Sequence, residues 1–151
     1  MDIKDVIETV NDLIETCKDG EYGFRRCAER VEQADLKQVM TRRASDCERS
    51  SKELQTIVSQ LGGTPEASGS AIGAVHRGWV SLRDAVSGNS DLGVLEECER
   101  GEDAALERYR GALEDALPPH VRSIVERQYE GVKRNHLQVR TLRDEARSAK
   151  A

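Results

Sequence analysis

The sequence predicts an all-α fold, a bundle of four long helices paired as two antiparallel hairpins. Three observations carry this. Aromatic residues are only 3% of the 151, with one Trp, one Phe and three Tyr, which argues against a β-sandwich or barrel. Apolar residues recur at spacings of three and four through four separate stretches. Glycine and proline punctuation falls between those stretches and leaves one long gap in the middle.

Ile3, Ile7, Val10, Ile14, Cys17, Phe24, Ala28 and Val31 set out a first helix over 2–33. Leu36, Met40, Ala44, Cys47, Leu54, Val58 and Leu61 set out a second over 35–61, with Asp35 as its expected N-cap and Gly62-Gly63 as its stop. Residues 62–90 break the rhythm: GGTPEASGS reads as a loop, 71–87 as a short helix, and Gly88-Asn89 as a turn. Asp91 is the expected cap of a third helix over 91–117, through Leu92, Leu95, Leu106, Tyr109, Leu113 and Ala116. Pro118-Pro119 end it and open a fourth over 119–147, because proline is at home in the first helical turn. Val121, Val125, Val132, Val139, Leu142 and Ala146 line that helix. Two tight hairpins joined by one long crossover have the connectivity of a ferritin-like bundle, here a single domain over 1–151.

Composition excludes several classes. Charged residues are 34% of the chain but mixed, 23 basic against 28 acidic, so neither a disordered polyelectrolyte nor a nucleic-acid binder is indicated. The basic residues crowding the fourth helix alternate with Glu126, Glu130, Asp144 and Glu145, and no series of aromatics alternates with them, Tyr129 standing alone. No stretch has the apolar length of a membrane span, and MDIKDVIETV lacks the features of a secretory signal, so a cytoplasmic location is expected. Cys17, Cys27, Cys47 and Cys98 have neither C-x-x-C nor zinc spacing, which suits reduced thiols filling a core.

The chemistry lies in polar residues on the core-facing rhythm. Glu21 falls there on the first helix, Glu99 and Glu102 on the third and Gln128 on the fourth, with His136 beside that seam next to Asn135. The second helix offers Ser51 in the seam and Glu48 at its edge. Reflecting each hairpin about its turn brings Glu21 level with Cys47 and Glu48, and Glu99 level with His136. A buried carboxylate without a partner costs several kcal/mol, about enough to force it to pair, bind metal or take a proton. Two readings follow. Glu21, Glu48, Glu99, Glu102 and His136 form a carboxylate and imidazole set of the kind that holds Fe or Mn in a bundle core. Alternatively they form an ion-paired layer with Arg25, Arg43 and Lys133, which are near enough in pattern. The usual metal signature of two Glu-x-x-His sequences is absent: Ser51 stands three after Glu48 and Lys133 three after Glu130. His76 and Trp79 share one face of the crossover segment, and packing is the preferred role for both.

The stretches Asp19-Gly20-Glu21-Tyr22-Gly23, Leu61-Gly62-Gly63-Thr64-Pro65, His76-Arg77-Gly78-Trp79 and Glu99-Arg100-Gly101-Glu102 resemble a bacterial family of domains of unknown function. That family is similar to ferritin-like bundles of the rubrerythrin and bacterioferritin sort. The resemblance implies the fold and no catalysis, so no catalytic residue is assigned. The expected function is that of a ferritin-like bundle with an unusual or degenerate metal site. The alternative is a metal-free, stress-associated interaction module, and a homo-oligomer is the expected assembly.

Overall fold

A computed structural model describes residues 1–66, 79 and 90–150; His76 and the expected crossover helix lie outside them. Among the described residues four helices follow in order, α1 (Ile3–Arg30), α2 (Ala34–Gln60), α3 (Asp91–Glu114) and α4 (Pro119–Lys150). This is the predicted all-α arrangement of two hairpins, with no strand among the described residues.

Local chemistry sets the boundaries. Asp2 caps α1 by accepting from the Asp5 N–H at 3.0 Å. Gln33 occupies the cap position of α2 without a side-chain bond. Asp35, the residue expected there, sits inside the first turn, where its charge still favours the positive helix end. At the other end of α2, Gly62 takes φ +85°. Its N–H reaches Ser59 O at 3.1 Å and that of Gly63 reaches Val58 O at 2.9 Å, the paired bonds of a Schellman stop. Ser90, not Asp91, caps α3, its Oγ accepting from Gly93 N–H at 3.1 Å. The Asp91 carboxylate instead accepts the backbone N–H groups of Glu32 at 2.8 Å and Gln33 at 3.2 Å, in the turn between α1 and α2.

Helix α1 packs on both α2 and α3, and α3 packs on α4, whereas α2 and α4 scarcely meet. Helices α1 and α3 run antiparallel: Thr9 lies against Asp115, Cys17 against Tyr109 and Cys27 against Cys98. Asn11 holds the start of the crossover, donating to Thr64 O at 3.2 Å and accepting from Glu66 N–H at 2.8 Å.

The interior has three levels. One end is aliphatic, with Val6, Val10, Leu13, Ile14, Leu54, Val58 and Val125 all at or near full burial. Each such side chain contributes about 1.5–3 kcal/mol of burial free energy. The other end is rich in sulfur and rings: Phe24, Cys27, Met40, Cys47, Trp79 and Cys98. Trp79 arrives from the crossover and meets the Phe24 ring edge-on, with centroids 5.1 Å apart at 73°. It fits because Gly23 and Gly101 lack side chains. A Cβ at either position would overlap the indole. Between the two ends lies a polar level.

Candidate functional site

Glu102 is the centre of the polar level and is 1% exposed. Its Oε1 accepts from Arg43 Nε at 3.0 Å and also from Asn135 Nδ2. Its Oε2 is buried and has no hydrogen-bond partner among the described residues. Burial alone would lower the Arg43 pKa, but Cys47 and Glu102 beside it outweigh this and hold the guanidinium above its ordinary value. Arg43 also stands over the Phe24 ring, 5.7 Å from its centroid.

A second polar chain lies toward the aliphatic end. The Tyr109 hydroxyl donates to Gln128 Oε1 at 2.8 Å, which spends its one hydrogen. The contact between Cys17 Sγ and Tyr109 Oη at 3.1 Å is then donated by the thiol. Gln128 Nε2 donates onward to Glu53 Oε1 at 2.8 Å. Burial pushes the Cys17 thiol up to about 11 and the Tyr109 hydroxyl well above its usual value. Cys47 and Cys98 are likewise pushed up by burial, so all three of these thiols stay protonated at neutral pH.

The remaining predicted ligands are spread along the bundle. Glu21 and Glu48 come together, as the hairpin reflection anticipates, and share Arg25 at 3.0 and 3.4 Å. Glu99 pairs with Arg143, and its Oε2 is also buried without a partner among the described residues. His136 Nε2 meets Asp103 Oδ1 at 2.6 Å. The second hairpin is offset by about one turn from the sequence estimate. Glu102 and Asp103 stand opposite Asn135 and His136, leaving Glu99 opposite Arg143. The connection after α3 is a short piece, Asp115–Pro118, that begins with Asp115 in an extended conformation. Among the described residues no three His, Cys, Asp or Glu side chains are grouped to hold a metal ion.

Sequence reasoning missed the helix glycines as slots. Gly23 and Gly101 admit Trp79, and a Cβ on Gly20 would stand 2.8 Å from Cys47 Sγ. The available signal was glycine on the buried face of a helix, where it costs about 1 kcal/mol relative to alanine and so needs a packing reason. Glu97 was also missed. It is 3% exposed, pairs with Arg100 and has its carboxyl pKa raised by burial.

The splay of α2 from α4 leaves a cavity of about 760 Å³ reaching the polar level, lined by Arg43, Cys47, Trp79, Glu102, Tyr109 and Gln128 among others. Residues 5–115 match the family described as Domain of unknown function (DUF2383). The chain belongs to this family. The DUF2383 match contains Arg43, Trp79 and Glu102, whereas Gln128 and Asn135, which close the polar level from α4, lie beyond it. Two solved structures share the fold. A point mutant of Dps1 from Mycobacterium smegmatis aligns with TM-score 0.80 at 14% identity, covering 93% of this chain and 96% of that one. A dodecameric thioferritin, the bacterioferritin-related protein of Bacteroides fragilis, aligns with TM-score 0.82 at 16% identity, covering 99% and 91%. These likenesses establish a ferritin-like four-helix bundle. No curated protein matches the chain. No described helix of the DUF2383 chain is long and apolar enough to cross a membrane.

Proposed function

We propose that this DUF2383 protein is a homo-oligomeric, ferritin-like interaction module whose polar level is held by ion pairs rather than by a pair of metal ions. The carrying observation is the Arg43 guanidinium bonded to buried Glu102, with Asn135 on the same oxygen. A dinuclear Fe or Mn centre needs several anionic oxygens and an imidazole turned toward one point. Here Glu102 faces a fixed positive charge, Glu99 faces Arg143, Glu21 and Glu48 share Arg25, and His136 faces Asp103. A cation entering this level would be repelled by Arg43 and would have to displace these partners. The donor set does not fit the dinuclear group.

Assembly is the use we assign to the bundle. The similar Bacteroides fragilis protein is dodecameric, and Leu137 here stands 62% exposed on α4, an apolar residue available to a second copy.

The test is elemental analysis after anaerobic incubation with Fe(II) or Mn(II), followed by sedimentation of the same sample. The expected result is an oligomer with no stoichiometric metal, and no difference in metal content from the Glu99→Ala/Glu102→Ala variant. One or two ions per chain, lost in that variant, would overturn the reading and restore the metal centre of Glu21, Glu48, Glu99, Glu102 and His136.

A further inference from the structure

The cavity beside the polar level has an electrostatic character opposite to that of the chain. The protein carries a net charge of −5. Yet six arginines line the cavity, at 42, 43, 49, 108, 127 and 134, against four acids, at 19, 46, 53 and 102. Three of the arginines are neutralised locally, Arg43 by Glu102, Arg49 by Asp46 and Arg127 by Glu53. Asp19 is buried and has an interaction of its own. Arg42 and Arg134 form no ion pair among the described residues, and Arg108 has only the longer-range attraction of Asp12, so three guanidiniums at one opening have no carboxylate bonded to them.

Deeper in, the imbalance is in hydrogen bonding. Glu102 lines the cavity with one carboxylate oxygen doubly bonded and the other accepting nothing from the described residues. A buried acceptor without a donor is costly, about 1–3 kcal/mol and more when charged, and native proteins rarely retain one without a use. The cavity volume of about 760 Å³ lies within the range of pockets that enclose small organic ligands.

We propose that this cavity is a binding site for a small organic polyanion that carries a hydroxyl or amino group. Its anionic groups meet Arg42, Arg108 and Arg134, whose planar forks suit carboxylate and phosphate oxygens. Its hydrogen-bond donor satisfies Glu102 Oε2. The adjoining Trp79 and Phe24 supply an apolar wall. The proposal rests on the preceding reading in one respect, that Glu102 is free of metal.

Citrate and tricarballylate make a discriminating pair of probes, because they share three carboxylates and differ by one hydroxyl. Calorimetric titration is done on chelator-dialysed protein whose metal content has been measured separately, so that failure of anion binding and failure of the metal-free reading are read independently. Citrate is expected to bind, and to bind about tenfold more tightly than tricarballylate, the worth of one charge-assisted hydrogen bond. Arg108→Gln/Arg134→Gln should weaken both probes by about tenfold or more. Arg26→Gln, at an exposed residue paired with Glu29 and outside the cavity, should leave both unchanged. Glu102→Gln, nearly isosteric and able to stay folded, should abolish the preference for citrate. Absence of binding by both probes, equal binding of the two, or an equal loss in the Arg26 variant would overturn the site.

Discussion

The two ends of the bundle are built by different rules. The aliphatic end, around Val10, Leu13, Ile14, Leu54 and Val58, is a seam of branched side chains in which each helix contributes to a common surface. The opposite end depends on absences. Gly20 makes room for Cys47, and Gly23 and Gly101 make room for an indole delivered by the crossover. The first kind of core is robust, because volume lost at one position is shared among many neighbours. The second is keyed, because one ring fits one gap. Arg43, Glu102 and Asn135 stand between them, so the keyed end also adjoins the buried charge.

Three sets of substitutions sharpen or break this contrast. The largest effect is expected at the boundary itself. Glu102→Ala strands the Arg43 guanidinium and should cost about 3–5 kcal/mol in urea unfolding, whereas Arg43→Met/Glu102→Leu should come close to wild type. A cost for Glu102→Ala below about 1 kcal/mol, the usual worth of an exposed ion pair, would remove the boundary from the account.

The next effect separates two glycines of the same helix. Gly101→Ala forces a methyl into the Trp79 ring and should cost about 2 kcal/mol despite the better helix propensity of alanine. Gly111→Ala, where a Cβ meets nothing within 4 Å, should stabilise by up to about 1 kcal/mol. If the two changes act alike in unfolding experiments, the keyed end does not exist as described.

The smallest effect is read in pH. The Cys17 thiol has an ordinary value of 9.0 and is pushed up to about 11 by burial. Below pH 9 it is protonated in both folded and unfolded chains. As the pH rises from there toward 11 only the unfolded chain gives up the proton, so stability falls. Cys17→Ser, which keeps a donor for Tyr109, should reduce that alkaline slope by about 1.4 kcal/mol per pH unit. An unchanged slope would show that Cys17 is not part of the sealed interior.

The sequence was legible where periodicity carries the information. The four helices and the Gly62-Gly63 stop follow from spacing and turn chemistry, and the level of Glu21 with Glu48 follows from the short turn between α1 and α2. Caps were harder. Ser90 and Asp91 are both good cap residues, and the choice between them depends on Glu32 and Gln33, far away in the chain. Within the polar level, spacing identified Glu102 and Gln128 as inward-facing, and Arg43 as a residue able to pair. It could not show which oxygen meets which cation, because about one helical turn of offset in the second hairpin takes His136 from Glu99 to Asp103, and Arg143, seven residues further on, pairs with Glu99 instead. The cavity was not legible at all. It arises from the splay between α2 and α4, which no single helix encodes.

The Asp91 bonds to Glu32 and Gln33 carry a consequence for the order of folding. Two N–H groups at the tip of the first hairpin receive their acceptors from the first residue of the second hairpin. A chain released from synthesis only as far as the crossover would hold that tip open to water, and closing it requires the chain to travel the whole crossover and come back to where the first turn was made. The hairpins are therefore stitched at the tip as well as glued along their length. Neither can slide along the bundle axis past the other without tearing that stitch.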